Sequence, residues 1–337
     1  MNYPKFITTS STIGVPAPSA GSSNELYANK YRNSERRLKK LGYNLVLSKN
    51  LYSDIRGRSA TAKERAEEIN EMFKSENIDL ILCATGGEFL VEMLPYVNFE
   101  LLAQNPKFVC GFSDPTGLLY TITTKYDIAS IYGKNYGSYG KEEIFDSEKD
   151  FLKLITNEKL SFESYELYEE EGTPKVTGLE PPNLTEKVYW NVLNREEVNV
   201  KGRIIGGCLD IIAELAGTKY DGINSFNEKY KEDGVIWYLD NCELSHEEVI
   251  RTLWKLNELE YFKYTKAVIF GRFGANLSNC GYDVKSCLMD SILNEKTIPI
   301  VYDADFSHKD PCMPVINGAI AEVKVKSGKA FVSYELL

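Results

Sequence analysis

The chain has 337 residues, which is long enough to bury a sizeable core and indicates about two domains. Hydrophobic residues make up 43% of it and charged residues 26%, as in an ordinary globular protein. The formal net charge of −10 argues against a nucleic-acid backbone or an anionic membrane as the main partner.

The first residues do not form a basic segment followed by an apolar one, so the sequence predicts no signal peptide. No apolar stretch approaches the length of a membrane span. The seven cysteines lack paired CxxC spacing, which is typical of reduced thiols and argues against a zinc or iron–sulfur site. We therefore expect a cytoplasmic protein without a metal or a cofactor.

Strand and helix patterns alternate along the first part of the chain. The predicted strands cover 9–15, 43–47, 78–84 and 108–110, and the predicted helices cover 24–41, 59–75 and 89–94. This alternation indicates a doubly wound, flavodoxin-like α/β domain, which we place at residues 1–165. Ligands of such domains bind at the carboxyl ends of the strands.

Two motifs stand at such strand ends. Gly86-Gly87 follows the third strand, where it either lets a ligand approach the backbone or forms only a tight turn. Ser113 follows the fourth strand and Gly111, and it precedes an Asp-Pro pair that should open a helix. Strand, sharp turn, serine and helix form a nucleophile elbow, although a serine at this place is also a common helix cap.

Residues 166–200 are predicted to be a linker with an exposed loop, because they are acidic at first and then rich in proline and glycine. Trp190 within them is either a core residue or a stacking surface for a ligand. Residues 201–337 are predicted to form a smaller C-terminal α/β domain. Its predicted strands cover 235–240, 267–270 and 298–302, its helices cover 209–215, 246–259 and 284–293, and a hairpin of 319–325 and 330–334 ends it.

The sequence contains two histidines, so any mechanism that needs an imidazole must use one of them. His246 lies in the first turn of a predicted helix, where a solvent-facing residue explains it. His308 lies in a loop after a strand, where a rigid scaffold commonly holds catalytic side chains. A hydroxyl nucleophile also needs a carboxylate to orient its base, and Asp240 and Glu243 follow a predicted strand.

Five segments, in this chain order, resemble the serine LD-carboxypeptidase family, which includes muramoyl-tetrapeptide carboxypeptidases and microcin C self-immunity peptidases. The segments are Gly86-Gly87, Gly111-Phe-Ser-Asp114 with Thr116, Gly206-Gly207-x-Leu209 with Gly217-Thr218, Leu239-Asp-Asn-Cys-Glu243, and Asp305-Phe-Ser-His308 with Gly318-Ala319. The order of serine, acid and histidine separates this set from chymotrypsin-like and subtilisin-like enzymes.

The resemblance implies an active site in the cleft between the two domains. It makes Ser113 the nucleophile, His308 the general base, and the backbone amides of Gly87 and Asp114 the oxyanion hole. Asp240 stands where the family has a glutamate, so either Asp240 or Glu243 is the acid.

Substrate contacts are expected at Gly86 and Trp190. Cys208 departs from the asparagine that usually follows the second glycine pair of the family, which affects the expected substrate choice.

The resemblance further implies a homodimeric peptidase or amidase that cleaves an amide bond near the C-terminal end of a small peptide-like substrate. The segment around Trp190 is closer to the microcin-immunity branch, which favours an aminoacyl-nucleotide conjugate over an LD-linked muropeptide. Two alternatives remain at this stage. One is a catalytically silent peptide- or nucleotide-binding protein, and the other is a cysteine hydrolase that pairs Cys110 or Cys312 with His308.

Overall fold

The computed structural model describes residues 1–22, 24–274 and 277–337. The strands are β1 (Thr12–Val15), β2 (Asn44–Leu47), β3 (Leu80–Leu82), β4 (Phe108–Gly111), β5 (Ser130–Tyr132), β6 (Ser161–Glu163), β7 (Leu167–Tyr168), β8 (Glu186–Lys187), β9 (Asn191–Val192), β10 (Glu197–Cys208), β11 (Val235–Asp240), β12 (Thr265–Gly271), β13 (Ile300–Ala304), β14 (Val315–Asn317), β15 (Ile320–Lys326) and β16 (Lys329–Glu335). The α-helices are α1 (Glu25–Lys40), α2 (Ala62–Lys74), α3 (Phe99–Gln104), α4 (Thr116–Tyr126), α5 (Asp146–Ile155), α6 (Leu209–Leu215), α7 (Ile223–Lys229), α8 (His246–Glu258), α9 (Val284–Met289) and α10 (Ile292–Glu295).

The first sheet has the order β14-β5-β4-β3-β1-β2, in which β1 to β5 are parallel and β14 is antiparallel. The parallel part therefore has the 2-1-3-4-5 order of a flavodoxin-like domain, and this prediction is confirmed. Every residue of β3, β4 and β5 is buried, as expected for strands that are covered on both faces.

The second sheet has the order β6-β16-β15-β10-β11-β12-β13-β9. Strands β10 to β13 are parallel, and the flanking strands are antiparallel to their neighbours. This second sheet has eight strands, two more than the first. Strand pairing crosses the predicted divisions, because β6 joins the second sheet and β14 joins the first. The boundaries at 165 and 200 remain predictions.

Two predicted helices differ from the observed elements. The segment predicted at 89–94 is a 3-10 helix, Leu90–Tyr96, which contains Pro95. A proline inside a helix removes one backbone donor, which favours the short helix over a longer α-helix. The helix predicted at 284–293 is split into α9 and α10, and Ser291 begins the second piece. Among the described residues, no helix has both the length and the apolarity needed to cross a bilayer.

Helix α4 connects the two halves of the molecule. All its residues from Thr116 to Thr124 are buried, and it packs against α6, α7 and β10 as well as against its own sheet. The Cys208 amide at the carboxyl end of β10 donates to Thr116 Oγ1 at the start of α4 at 3.0 Å. The turn between β4 and α4 therefore lies against the second sheet.

Candidate active site

Ser113 lies in the turn between β4 and α4. Its φ is +69°, a left-handed conformation that is uncommon for any residue except glycine and that occurs often at functional turns. The Thr116 amide donates to the Ser113 carbonyl at 2.8 Å, so the backbone closes the turn and leaves the hydroxyl free. A Cβ at Gly111 would lie 2.5 Å from Pro115 Cβ, which explains why the turn begins with a glycine.

The Ser113 hydroxyl contacts a histidine rather than capping α4, whose N-cap has no side-chain hydrogen bond. Its Oγ lies 2.9 Å from His308 Nε2, and His308 Nδ1 lies 2.9 Å from Asp240 Oδ2. The second contact has the distance of an ion pair, although the ring N–H is not aligned as a hydrogen bond. The structure thus brings together a serine, a histidine and an aspartate that are far apart in sequence.

Two opposing effects determine the pKa of His308. Burial alone would lower its pKa, but the Asp240 carboxylate next to Nδ1 outweighs burial and raises the pKa to about 10. Asp240 is fully buried, so its charge is little screened by water. Asp240 therefore stabilises the imidazolium that forms when His308 takes up a proton.

Tyr132 is a further member of this cluster that the sequence did not indicate. Its hydroxyl donates to Asp240 Oδ2 at 2.6 Å and accepts from the Ser113 amide at 3.4 Å. Burial, with Asp240 as a further cause, raises the pKa of Tyr132 well above its usual value, so the hydroxyl keeps its proton. A tyrosine at the end of β5, next to β4, resembles an ordinary core residue, and only its polar tip at a strand end could have identified it.

The Gly86-Gly87 turn lies against the serine. A Cβ at Gly86 would lie 3.3 Å from Ser113 Oγ, and a Cβ at Gly87 would lie 2.4 Å from Ser19 Oγ. Gly87 also has a φ of +150°, which side chains disfavour. Over the described ranges, neither the Gly87 amide nor the Asp114 amide donates a backbone hydrogen bond, so both are available to a ligand oxygen.

The Asp114 side chain fixes this arrangement from behind. Its Oδ2 accepts hydrogen bonds from the Ser19 hydroxyl and, at 2.9 Å, from the Leu90 amide. Burial raises the pKa of Asp114 to about 6, against the effect of these hydrogen bonds. The carboxylate thereby connects the serine turn to the loop after β1 and to the loop after β3.

The His308 loop is anchored by two carboxylates, of which Asp305 is fully buried. Asp305 accepts from Arg272 Nη1 at 2.7 Å, from Trp190 Nε1 at 2.9 Å and from the Tyr165 amide at 3.0 Å. On the other side of His308, Asp310 is held by two lysines, Lys134 at 2.5 Å and Lys141 at 2.8 Å. Burial alone would raise the pKa of Asp310, but the two ammonium groups lower it well below the usual range.

Comparisons with known proteins identify the family of this chain. Residues 13–133 match the LD-carboxypeptidase N-terminal domain, and residues 201–323 match the LD-carboxypeptidase C-terminal domain. This chain belongs to the LD-carboxypeptidase family. A Vibrio cholerae protein provisionally named a carboxypeptidase is 27% identical over 327 residues, which cover 93% of this chain and 92% of that protein. The Escherichia coli microcin C7 self-immunity protein MccF is 26% identical over 289 residues, which cover 82% of this chain and 80% of that protein.

Solved structures of the family show the same fold. MccF in its ligand-free state matches with a TM-score of 0.83 at 23% identity, over 99% of this chain and 98% of that chain. Muramoyltetrapeptide carboxypeptidase from Oxalobacter formigenes matches with a TM-score of 0.74 at 21% identity, over 97% of this chain and 99% of that chain. The predicted family and its mixed α/β fold with two domains are therefore confirmed.

Asp240 and Glu243 were the two residues expected as the acid. Asp240, not Glu243, lies beside His308, and Glu243 is exposed. Asp210 accepts from the Cys242 amide at 3.0 Å and from the Glu243 amide at 2.9 Å, and so it fixes the loop that follows Asp240. This anchored loop is compatible with an acid that is one methylene shorter than glutamate.

The substrate contact expected at Trp190, the solvent exposure expected for His246 and the alternative of a cysteine hydrolase do not agree with the observed positions. Trp190 agrees with its other interpretation, that of a core residue. Trp190 is 1% exposed and packs edge-on against Phe306, so it presents no stacking surface to a ligand. His246 is also buried, stacked on Phe273, rather than solvent-facing. Cys110 and Cys312 are buried, and burial raises the pKa of Cys312 to about 12, which makes either of them a poor nucleophile.

A large groove of about 840 Å³ lies elsewhere, between α5 and the segment that contains β6 and β7. None of Ser113, Asp240 and His308 lines it. Hydrogen-bond geometry, rather than cavity size, identifies the candidate active site.

Proposed function

We propose that this chain is a serine peptidase or amidase in which Ser113 is the nucleophile, His308 the general base and Asp240 the acid. The observation that carries the proposal is the chain of contacts from Ser113 Oγ to His308 Nε2 and from His308 Nδ1 to Asp240 Oδ2, each 2.9 Å long. Serine, imidazole and carboxylate in this geometry are the parts that activate a hydroxyl.

In the proposed reaction, neutral His308 accepts the Ser113 proton at Nε2 while Oγ attacks the amide carbonyl carbon. The imidazolium is stabilised by Asp240, and Tyr132 holds the Asp240 carboxylate through its hydroxyl. The tetrahedral oxyanion accepts hydrogen bonds from the Gly87 and Asp114 amides, each worth about 3 kcal/mol in such sites.

His308 then donates its proton to the leaving amine, and the C–N bond breaks. A water molecule attacks the resulting acyl-enzyme while His308 again acts as base, and Ser113 recovers its proton. The reaction as proposed uses only side chains and backbone amides, with no metal or cofactor.

The proposed substrate is a small peptide-like molecule that is cleaved near its C-terminal end. MccF has been crystallised with aspartyl sulfamoyl adenosine and with glutamyl sulfamoyl guanosine, and another structural neighbour is a muramoyltetrapeptide carboxypeptidase. These neighbours support two classes, an aminoacyl-nucleotide conjugate and an LD-linked muropeptide. We favour the aminoacyl-nucleotide class, in a cytoplasmic homodimer.

Hydrolysis of both substrate classes by the wild-type chain and by Ser113→Ala tests the proposal. We expect one class to be cleaved by the wild type, with turnover lost in Ser113→Ala and an unchanged melting temperature. Ser10→Ala, which removes an exposed serine, is the matched control and should be fully active. Undiminished hydrolysis by Ser113→Ala would refute the mechanism.

A catalytically silent binding protein is the rival function. The shorter acid and the imperfect alignment of His308 with Asp240 favour it. A fluorophosphonate probe separates the two, because only an activated serine forms the covalent adduct. Labelling of the wild type that is absent in Ser113→Ala supports the peptidase, whereas substrate binding without labelling supports the rival.

A further inference from the structure

A small pocket of about 80 Å³ lies between α1 and the loop that crosses it. Its walls include Tyr27 and Lys30 of α1, Lys141 of the segment before α5, and Lys175 and Glu180 of the loop. A water molecule takes up about 30 Å³ of liquid, so the pocket has room for two or three waters or for one group of similar size.

The pocket is built by several independent contacts. The Asn29 side chain donates to the Thr177 carbonyl at 2.9 Å, and the Glu142 amide donates to the Leu179 carbonyl at 2.8 Å. Gly178 has a φ of +81°, and a Cβ there would lie 2.2 Å from the Leu26 carbonyl oxygen. The glycine therefore lets the loop lie directly on the first turn of α1.

The charges around the pocket are not balanced. Lys141 is already paired with Asp310 and Glu148. The Glu180 carboxylate accepts from the Val176 and Gly178 amides, both at 3.0 Å, so it is turned toward its own loop. Within the described part of the chain, Lys30 and Lys175 take part in no ion pair.

Gathering these lysines has an electrostatic cost. Burial, together with the ammonium groups of Lys141, Lys175 and Lys134, lowers the pKa of Lys30 to about 8, against the effect of Asp310. An anion in the pocket would offset both the burial and the repulsion. Because ammonium groups from three segments of the chain line the pocket, an anion with several acceptor oxygens matches them better than one with two.

We propose that Lys30, Lys141 and Lys175 form a binding site for a phosphate group, with Lys30 as its principal cation. Charge-assisted hydrogen bonds from the Lys30 ammonium would hold the phosphate oxygens, while the loop around Gly178 closes the pocket. The phosphate is either the free ion or part of a phosphate ester. This site is separate from the proposed triad and does not depend on the proposed hydrolysis.

Calorimetric titration of the whole chain with inorganic phosphate tests the site, with glycerol 1-phosphate as a second ligand and acetate as a monoanion. We expect one saturable site for phosphate and weaker binding of acetate. Lys30→Met should weaken phosphate binding by about tenfold or more, and the exposed Lys175→Met by less. Lys153→Met, which removes an exposed lysine on α5, is the matched control and should bind like the wild type.

Tighter binding of glycerol 1-phosphate than of phosphate would assign the site to an ester, and the reverse order would assign it to the free ion. Lysine acetylation of the wild type, read by mass spectrometry at pH 8, gives a second measurement that no variant can confound by misfolding. Phosphate should slow acetylation of Lys30 and Lys175 but not of Lys153. The absence of saturable binding, of protection, or of any difference between Lys30→Met and the wild type would overturn the proposal.

Discussion

Ser113 is held by the backbone of its own turn, whereas His308 is held by side chains from distant parts of the chain. On the serine side, β4, the left-handed Ser113 and the start of α4 follow one another in sequence. The Gly86-Gly87 turn lies beside them, at the end of the neighbouring strand β3. On the histidine side, the loop depends on Asp305 and its partner Arg272.

The difference has a consequence for catalysis. Backbone geometry sets where Ser113 and the proposed oxyanion donors lie, and the Asp114 carboxylate behind this turn is not among the largest causes of the pKa shift of His308. The buried Asp240 carboxylate, which accepts a hydrogen bond from the Tyr132 hydroxyl, raises the pKa of His308. Changes on the serine side should therefore lower the rate without moving its pH dependence, whereas changes on the histidine side should move both.

His308→Ala should have the largest effect. Loss of the proposed base should lower kcat by about a million-fold, as when the histidine of a catalytic triad is deleted in a known serine peptidase. His246→Ala is the matched control, because it removes the other histidine of the chain. It should keep its turnover and lose thermal stability, since His246 is buried. Equal activity losses in the two variants would contradict the assignment.

Asp240→Asn should lower kcat by about 10⁴-fold and also move the pH profile. The proposed base must be neutral, so kcat/KM should rise as His308 loses its proton, with a midpoint above the ordinary 6.5 of histidine. Removal of the Asp240 charge leaves burial, which lowers the pKa of His308, so the midpoint should shift to lower pH. Profiles of kcat/KM against pH measure this shift. The control Glu243→Gln should leave rate and midpoint unchanged.

Much of the fold follows from local patterns. Apolar runs predicted β3, β4 and β11, and the capping sequence at Ser245 predicted α8, because burial and capping act over a few residues. The serine turn was also readable, since Gly111 and the Asp-Pro pair mark its ends. The pairing of Ser113 with His308 needed the order of motifs along the chain, because nothing local to either residue identifies its partner.

Other features depend on which elements meet, and no local pattern contains this information. His246 begins a helix and was expected in solvent, but Phe273 from the end of the neighbouring strand covers it. Trp190 follows a loop of turn-forming residues, yet it is buried, and its indole N–H donates a hydrogen bond to the buried Asp305 carboxylate. In both cases a side chain distant in sequence decides the burial.

Gly87→Ala tests the serine side. The new Cβ would meet Ser19 Oγ, which should displace the turn and its amide from the oxyanion position. We expect kcat to fall by about 10²–10³-fold, as when one oxyanion donor is lost, with no shift of the pH midpoint. Gly172→Ala is the matched control, because a Cβ there would have no neighbour within 4 Å. A shift of the pH midpoint of kcat/KM in Gly87→Ala would contradict the expectation that changes on the serine side leave the pH dependence unchanged.

Tyr132→Phe should have the smallest effect on the rate, and it is the sharpest test, because Tyr132 belongs to the first sheet but acts on the acid in the second. Removing the hydroxyl takes away a hydrogen bond to a buried carboxylate, which should lower kcat by about tenfold. Without this donor, the Asp240 charge acts more strongly on His308, so the midpoint of kcat/KM should move to higher pH, opposite to the shift in Asp240→Asn.

Tyr189→Phe removes the hydroxyl of an exposed tyrosine and serves as the control, with neither change expected. A lower rate in Tyr132→Phe at an unchanged midpoint would mean that Tyr132 only holds the Ser113 amide, and would place it with the backbone side of the site. A shift of the midpoint to higher pH would mean that Tyr132 acts on His308 through its hydrogen bond to Asp240.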